Sequence, residues 1–341
     1  MDFSYRLVNW YRQKARILPW RETKNPYFIW LSEIILQQTR VAQGQPYYEK
    51  FILAFPTVQA LANADEQEVI RLWQGLGYYS RARNLHHAAK YISNECKGIF
   101  PQTFVELKKM KGVGDYSAAA IASFAYGLPH AVVDGNVYRV LSRIFGIDLA
   151  IDSTEGKKHF AALANELINE NSPAIHNQAI MEFGALQCTP KAPNCISCVF
   201  KEECIAFLSN QILVLPVKLK KVAVKIRYLN YFFIENIDGS TFVRKRIEKD
   251  IWKHLYEFPL RESNDELDYN TLLDYGVATF GIQSLGQPYE VKHVLSHQHL
   301  CARIFVLKCN IQELAGFEKI LMTNLIDYPL PRLLDRFLEM R

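Results

Sequence analysis

Seventeen residues, CTPKAPNCISCVFKEEC from Cys188 to Cys204, hold four of the seven cysteines in the chain. Such a cluster can be disulfide-bonded, buried as free thiols, or ligating. The N-terminal stretch MDFSYRLVNWYRQKAR lacks the apolar core and cleavage site of a signal peptide. No apolar run approaches the eighteen or so residues of a membrane span. The expected compartment is therefore cytoplasmic, nucleoid-associated in a bacterium, where disulfides are rare. Four buried thiols seldom fall together by chance, which leaves ligation as the best reading. Zinc sites usually pair two short C-x2-4-C knuckles, and the C-x6-C-x2-C-x5-C spacing offers one. The uneven spacing of Cys188, Cys195, Cys198 and Cys204 suits a cuboidal iron–sulfur cluster held by four thiolates.

The 341 residues, 49% hydrophobic and 22% charged, are enough for two or three folded domains. Up to about Phe207 the apolar residues recur at helical spacing, as in DEQEVIRLWQGL, YSAAAIASFAY and NVYRVLSRIF. After Pro216 the texture changes. IRYLNYFFIENIDGSTFVRKR reads as two strands joined as a hairpin at NIDGS, LCARIFVLKC as a strand, and NDELDYNTLLDYG and PLPRLLDRFLEMR as helices. The expected organisation is a helical domain over residues 1–207, a basic linker over 208–223 and a smaller α+β domain over 224–341. The net charge of +5 permits a polyanionic partner without requiring one. KLKKVAVKIR at 218–227 carries five basic residues and no acid. It reads either as a solvated linker or as a strap that tracks phosphates.

Four further stretches carry candidate chemistry. In ELKKMKGVGDYSAAAIASFAYG a helix is expected to end at Lys111. Gly112 and Gly114 then turn the chain into a new helix whose free N–H groups suit a phosphate. A plain helix–helix turn is the alternative. Asp134 in HAVVDGNVYRVLSRIF precedes a helix, as an N-cap does, and a cap can also face a cleft. In YFIWLSEIILQQTR, Glu33 interrupts an apolar run. A carboxyl buried there has a raised pKa, as a general acid near neutral pH requires, unless it is a structural glutamate paired with backbone or arginine. In WQGLGYYSRARNL, glycines flank Leu76 ahead of Tyr78, Tyr79, Arg81 and Arg83. That pattern suits stacking on bases and holding phosphates, or an aromatic core patch beside a turn.

Taken in order, these elements resemble the endonuclease III superfamily of helix-hairpin-helix DNA glycosylases. LPWR at 18–21, WLSEIILQQTRV at 30–41, LWQGLGYYSRARNL at 72–85, VDGNVYRVLSR at 133–143 and FGALQC at 183–188 narrow the resemblance to the MutY-type adenine DNA glycosylases. The implied fold is an all-α helix-hairpin-helix glycosylase domain, with the hairpin near 104–126 and a [4Fe–4S] cluster loop at 188–204. A smaller α+β Nudix-like domain follows. The implied partner is double-stranded DNA containing adenine opposite 8-oxoguanine or guanine, bound by a monomer. The implied reaction flips out the adenine and hydrolyses its glycosidic bond.

The resemblance implies a role for each matching residue. Glu33 protonates the flipped adenine at N7, Asp134 stabilises the oxocarbenium-like sugar, and Asn136 orients that site. Arg21, Tyr116 and Gln178 line the adenine pocket. Gln38 and Tyr78 fill the stack around the lesion pair, with Leu76 beside them, and Gly112 and Gly114 approach the backbone. Cys188, Cys195, Cys198 and Cys204 ligate the [4Fe–4S] cluster. Lyase-competent relatives carry a Schiff-base lysine where this chain has Tyr116, which implies a monofunctional enzyme that uses water. LYEFP at 255–259 and HVLSHQHL at 293–300 resemble the family's lesion-recognition domain, with Leu295, Ser296 and His297 as lesion readers. Leu295 stands where the family usually has phenylalanine. The acids of a Nudix hydrolase box are mostly replaced around NTLLDYGV, leaving Asp274, so phosphatase activity is not expected.

Overall fold

The computed structural model describes residues 3–219, 224–295 and 297–341. The linker lysines Lys220 and Lys221, and the candidate lesion reader Ser296, lie outside the described residues. The chain begins with α1 Phe3–Lys14, α2 Pro26–Leu36, α3 Val41–Ala54, α4 Val58–Asn63, α5 Glu66–Trp73 and α6 Ser80–Asn94. Next come α7 Phe104–Leu107, α8 Asp115–Tyr126, α9 Gly135–Phe145, α10 Thr154–Leu167, α11 Pro173–Leu186 and α12 Ile205–Leu208. The remainder holds β1 Lys225–Asn236, β2 Ser240–Lys245, β3 Tyr256–Glu257, β4 Leu260–Ser263, α13 Tyr269–Phe280, β5 Tyr289–Val294, β6 Gln298–Cys309, β7 Glu318–Leu321 and α14 Arg332–Glu339. Among the described residues no helix is long and apolar enough to cross a membrane.

The chain forms two compact units, and they do not follow its linear order. The first combines residues 1–64 with 84–221, and the second combines 65–83 with 222–341. In the first unit, α2 begins where the Asn25 side chain accepts from Tyr27 N at 2.9 Å, with Pro26 in the first helical position. This helix is apolar on almost every side and buries Ile29, Trp30, Leu31, Ile34 and Ile35, as a core helix does. It packs on α8, where a run of buried alanines, Ala118–Ala120 and Ala122, allows close approach. Helices α1, α9 and α11 close a second layer around Trp10, Leu141, Phe160 and Phe183.

The turn leading into α8 departs from expectation. The preceding helix stops at Leu107, one turn after a Thr103–Glu106 capping box, and not at Lys111. Gly112 adopts a φ of 82°, and a Cβ on it would lie 2.9 Å from the Asn84 Cβ, so both backbone and space call for glycine there. Gly114, in extended conformation, is the N-cap of α8.

The second unit contains a mixed four-stranded sheet of order β4-β1-β6-β5. Its central strand β1 pairs in parallel with β6 from Lys225↔Gln298 to Asn236↔Cys309, and antiparallel with β4. Both faces are covered, so β1 reads as a nearly continuous apolar run. Leu229, Tyr231 and Phe233 face the α14 residues Leu333, Leu334 and Phe337. Phe232 and Ile234 face Leu272 and Phe280 of α13. The NIDGS turn does join β1 to β2, but the expected two-stranded hairpin does not form. Strand β2 pairs with β3 and β7 in a second sheet. Nor does Arg227 belong to a phosphate-tracking strap. It is 6% exposed in β1 and bonded to Asp250 and Glu262.

Replacing Gly112 by alanine forces a left-handed φ and a contact with Asn84. It should cost roughly 1–3 kcal/mol, read as a lowered urea midpoint at unchanged slope.

Candidate active site

A cavity of about 610 Å³ in the first unit is lined by Arg21, Glu33, Gln38, Gly114, Tyr116, Asp134, Asn136 and Gln178 among others. Eight of the residues expected to act together thus share one set of walls. Glu33 projects from the buried helix α2 and is 7% exposed. Burial pushes its carboxyl up to about 7, against a hydrogen bond from Tyr116, and the neighbouring Asp134 raises it further. The end of α2 is tied to α8 where Gln37 Nε2 donates to Ser117 Oγ at 3.0 Å. Gln38 follows with a φ of 55°, a left-handed conformation that costs a non-glycine residue about 1 kcal/mol or more.

Asp134 is the N-cap of α9. Its Oδ1 accepts from the backbone N–H groups of Asn136 and Val137, both at 2.8 Å, and its Oδ2 accepts from Asn136 Nδ2 at 2.8 Å. These donors and Arg139 favour the anion, yet burial outweighs them, and the carboxyl lies above its ordinary value. The helix terminus therefore limits a desolvation cost here, where the dipole alone would have lowered the pKa. Asn136 is held in turn by Arg139, whose Nη2 donates to Asn136 Oδ1 at 2.9 Å and to Gly184 O at 2.7 Å.

Two residues at this site escaped the sequence reading. Glu182, on α11 and in the cavity wall, is 1% exposed. Burial raises its pKa, but hydrogen bonds from Arg16 and Arg21 overcome this and hold it at about 2. Arg16 meets it through Nε at 2.8 Å and Nη2 at 2.7 Å, and Arg21 through Nη2 at 2.8 Å. The signal was the one that marked Glu33, an acid inside an apolar run, here AIMEFGAL. Gly184 is the other. A Cβ there would lie 2.6 Å from the Asn136 Cβ and 3.0 Å from its carbonyl oxygen, so α11 can back the Asp134–Asn136 pair only with glycine. Gln178 accepts from Tyr11 Oη at 2.9 Å.

Cys188, Cys195, Cys198 and Cys204 line one small apolar cavity with Ile144, Phe183 and Phe207. Among the described residues no three His, Cys, Asp or Glu side chains gather as they would on a single metal ion. The four thiols are separate but mutually aware. Burial first, and their neighbours second, raise Cys195 and Cys204 and push Cys198 up to about 11. Arg143, 2% exposed on α9, places Nη1 3.5 Å from Cys188 Sγ and donates to Thr189 O, Pro190 O and Leu215 O. Arg139 Nε donates to Cys188 O at 2.7 Å. A buried cation beside the Cys188 thiol, with Phe200 N 3.4 Å from Cys198 Sγ, suits a thiolate-held anionic group.

The remaining candidates lie elsewhere. Gly112 does not line the cavity. Asp115 does, in the first turn of α8, where it is ion-paired to Lys108. Leu76 is buried at 5% exposure, so of the two DNA-contact candidates in the GLGYY turn Tyr78, at 43%, is the exposed one. In the second unit Leu295 is half-buried and His297 exposed, in the turn between β5 and β6 that Leu295 N closes onto Gln298 O at 2.8 Å.

Residues 31–169 match the HhH-GPD superfamily of base excision DNA repair proteins, and residues 230–340 match the NUDIX domain. An adenine DNA glycosylase of Buchnera aphidicola (subsp. Baizongia pistaciae) is 36% identical over 301 residues, which span 86% of this chain and 83% of that protein. The chain belongs to the adenine DNA glycosylases. A human member is 42% identical over 213 residues, 60% of this chain and 39% of its own. Among solved structures, a thermostable thymine-DNA glycosylase is 27% identical with a TM-score of 0.57, covering 61% of this chain and 95% of that one. An endonuclease III–DNA complex, at 21% identity and a TM-score of 0.52 over 60% of this chain, shares the fold. The helical glycosylase fold followed by a Nudix-like domain, expected from the motifs, is the one found.

The raised pKa of Glu33 has a stability consequence. Between the ordinary carboxyl value and about 7 the folded glycosylase holds a proton that the unfolded chain has released, so stability falls as pH rises through this window. Glu33→Gln removes the ionisation. It should raise the melting temperature at pH 8 relative to the native enzyme, by the equivalent of a few kcal/mol at about 1.4 per pKa unit, and change little at pH 4.

Proposed function

We propose that this adenine DNA glycosylase removes adenine paired with 8-oxoguanine, or with guanine, by hydrolysis without strand cleavage, acting as a monomer on double-stranded DNA. The observation that carries the reading is the pairing of Glu33 and Asp134 across one cavity. One carboxyl is held near neutral pKa by burial, and the other is bonded at a helix N-terminus. The target base cannot be reached within the duplex and must be extruded into the cavity. Glu33 donates its proton to adenine N7. The C1′–N9 bond breaks with its electrons on the base, and Asp134 faces the cationic sugar that results. Water adds at C1′ and loses a proton, leaving an abasic site and free adenine. Asn136 fixes the Asp134 oxygens, while Tyr116, whose Oη donates to Met181 Sδ at 3.4 Å, stands beside Glu33 in the cavity wall. Arg21, locked onto Glu182, and Gln178 supply its polar walls. A tyrosine at 116 cannot form the imine that strand cleavage requires.

Cys188, Cys195, Cys198 and Cys204 are the residues that would hold a [4Fe–4S] cluster. Bound there, the cluster supplies structural cross-linking of the 188–204 loop. Arg143 and Arg139 fasten that loop to α9, whose N-terminus carries Asp134. Gln38, Tyr78 and the Gly112–Gly114 turn are assigned to the DNA around the flipped base. The turn holding Leu295 and His297, with Ser296, is assigned to the 8-oxoguanine opposite it.

Duplex containing adenine opposite 8-oxoguanine, incubated with the full chain, should break at the adenine only after hot alkali. Breaks without alkali would contradict a hydrolytic, monofunctional enzyme. Glu33→Gln should bind the same duplex and lose excision by about 10²- to 10⁴-fold, the usual worth of a positioned acid. The purified protein should be brown with about four irons per chain, and Cys198→Ser should lose the colour. A colourless protein with one zinc would overturn the cluster assignment.

A further inference from the structure

The loop between β2 and β3, RIEKDIWKHL from Arg246 to Leu255, is built at a cost. Trp252 and His254 adopt φ values of 61° and 71°, a left-handed conformation that non-glycine residues hold only where their surroundings impose it. The surroundings are polar and specific. Arg227 grips Asp250 with two bonds, Nη1 at 2.9 Å and Nη2 at 2.6 Å, and Arg246 Nη2 adds a third at 3.0 Å. The same Arg227 Nη1 donates to Gln298 Oε1 at 3.1 Å. Gln298 directly follows the 295–297 turn. The Trp252 ring also lies 6.1 Å from that of His293, near the end of β5 on the other arm of that turn.

The loop has a second set of partners within the same unit. His254 Nδ1 and Glu66 Oε1 lie 2.7 Å apart, and Arg83 Nη1 donates to Lys253 O at 2.7 Å. Glu66 opens α5 and Arg83 lies in the first turns of α6, so the two contacts bracket the GLGYY turn. That turn is stiff in itself. Trp73 Nε1 donates to Gly77 O at 3.0 Å, and the Arg81 guanidinium lies 5.0 Å from the Trp73 ring and 5.8 Å from the Tyr78 ring. Gln74 Nε2 donates to Asp335 Oδ1 on α14 at 2.7 Å, a further tie within the second unit. The 246–255 loop is therefore bonded to residues on both sides of the GLGYY turn and, through Arg227 and Trp252, joined to Gln298 and His293 on the two sides of Leu295 and His297.

We infer that the 246–255 loop is a brace that sets Tyr78 against Leu295 and His297, and that His254, through Glu66, is a positioning residue for lesion discrimination. The inference rests on the proposed reading of Tyr78 as a stacking residue and of the 295–297 turn as the 8-oxoguanine reader. His254 does not touch the excised base. It fixes the spacing of two elements that meet the lesion pair, so its loss is expected in selectivity rather than in bond cleavage.

The test is single-turnover excision by the full chain on two duplexes, adenine opposite 8-oxoguanine and adenine opposite guanine. His254→Gly is the first variant, because glycine accepts the left-handed φ without strain. Glu66→Ala removes the other partner from its side, and Glu66→Gln keeps an acceptor in place. The ratio of the two rates should fall about three- to tenfold in His254→Gly and Glu66→Ala, the size of a coupling relayed through packed elements. It should be retained in Glu66→Gln, and the rate opposite guanine should change less than twofold in all three. In a Tyr78→Ala background, His254→Gly should cause no further loss, since the two act through one element. A native enzyme that prefers 8-oxoguanine, with the preference intact in His254→Gly and Glu66→Ala, overturns the brace and leaves the lesion reading standing. Fully additive losses with Tyr78→Ala overturn it as well. A native enzyme with no preference overturns the lesion reading and the brace together.

Discussion

Four carboxylates line one cavity, and three of them, Glu33, Asp134 and Glu182, are desolvated enough that they cannot all be charged at low cost. An unpaired charge in a low-dielectric site is expensive, and proteins answer by neutralising the group or surrounding it with donors. This cavity uses both answers. Glu182 is paired with Arg16 and Arg21 and stays an anion. Asp134 takes three hydrogen bonds at the start of α9, which temper but do not cancel the effect of burial. Glu33 has Tyr116 and little else, and it keeps its proton to about pH 7. The different roles assigned to these groups follow from different local packing around the same side chain chemistry.

Helix α9 connects this arrangement to the cysteine loop. Its first residues cap onto Asp134, Arg139 reaches both Asn136 and Cys188 O, and Arg143 reaches Cys188 Sγ and the carbonyls of Thr189 and Pro190. Two buried guanidinium groups are costly unless every donor finds an acceptor. Here the acceptors include the loop carbonyls of Cys188, Thr189 and Pro190, together with Gly184 O and Leu215 O. The cysteine loop is thus fastened to the helix that positions the Asp134 carboxylate.

Much of this is legible in the amino-acid sequence. Glu33 announced itself as one acid in an apolar helix, Asp134 as a cap, and the cysteines by their crowding. The folded unit brings Glu33, Asp134, Arg21, Tyr116 and Gln178 to one cavity although 157 positions separate the outermost pair, Arg21 and Gln178. What was not legible depended on tertiary partners. Glu182 carries the same signal as Glu33, but only the approach of Arg16 and Arg21 makes it an anion. Strands β1 and β2 look like a hairpin because a tight turn joins them, and nothing local reveals that β1 pairs with β6 across a separation of more than sixty residues. Arg227 looked like part of a solvated basic run until Asp250 and Glu262 closed on it. Nor could periodicity show that α5 and the GLGYY turn group with the C-terminal unit.

The central claim is that burial keeps Glu33 protonated so that it can act as the acid. The most direct measurement is the pH dependence of single-turnover excision under saturating enzyme, followed from pH 5 to 9 on a duplex whose binding is verified at each pH. The account predicts a rate that holds at low pH and falls about tenfold per unit above roughly pH 7, as the carboxyl loses its proton. A rate unchanged up to pH 9 would mean that the proton on adenine comes from another source, and would contradict the account.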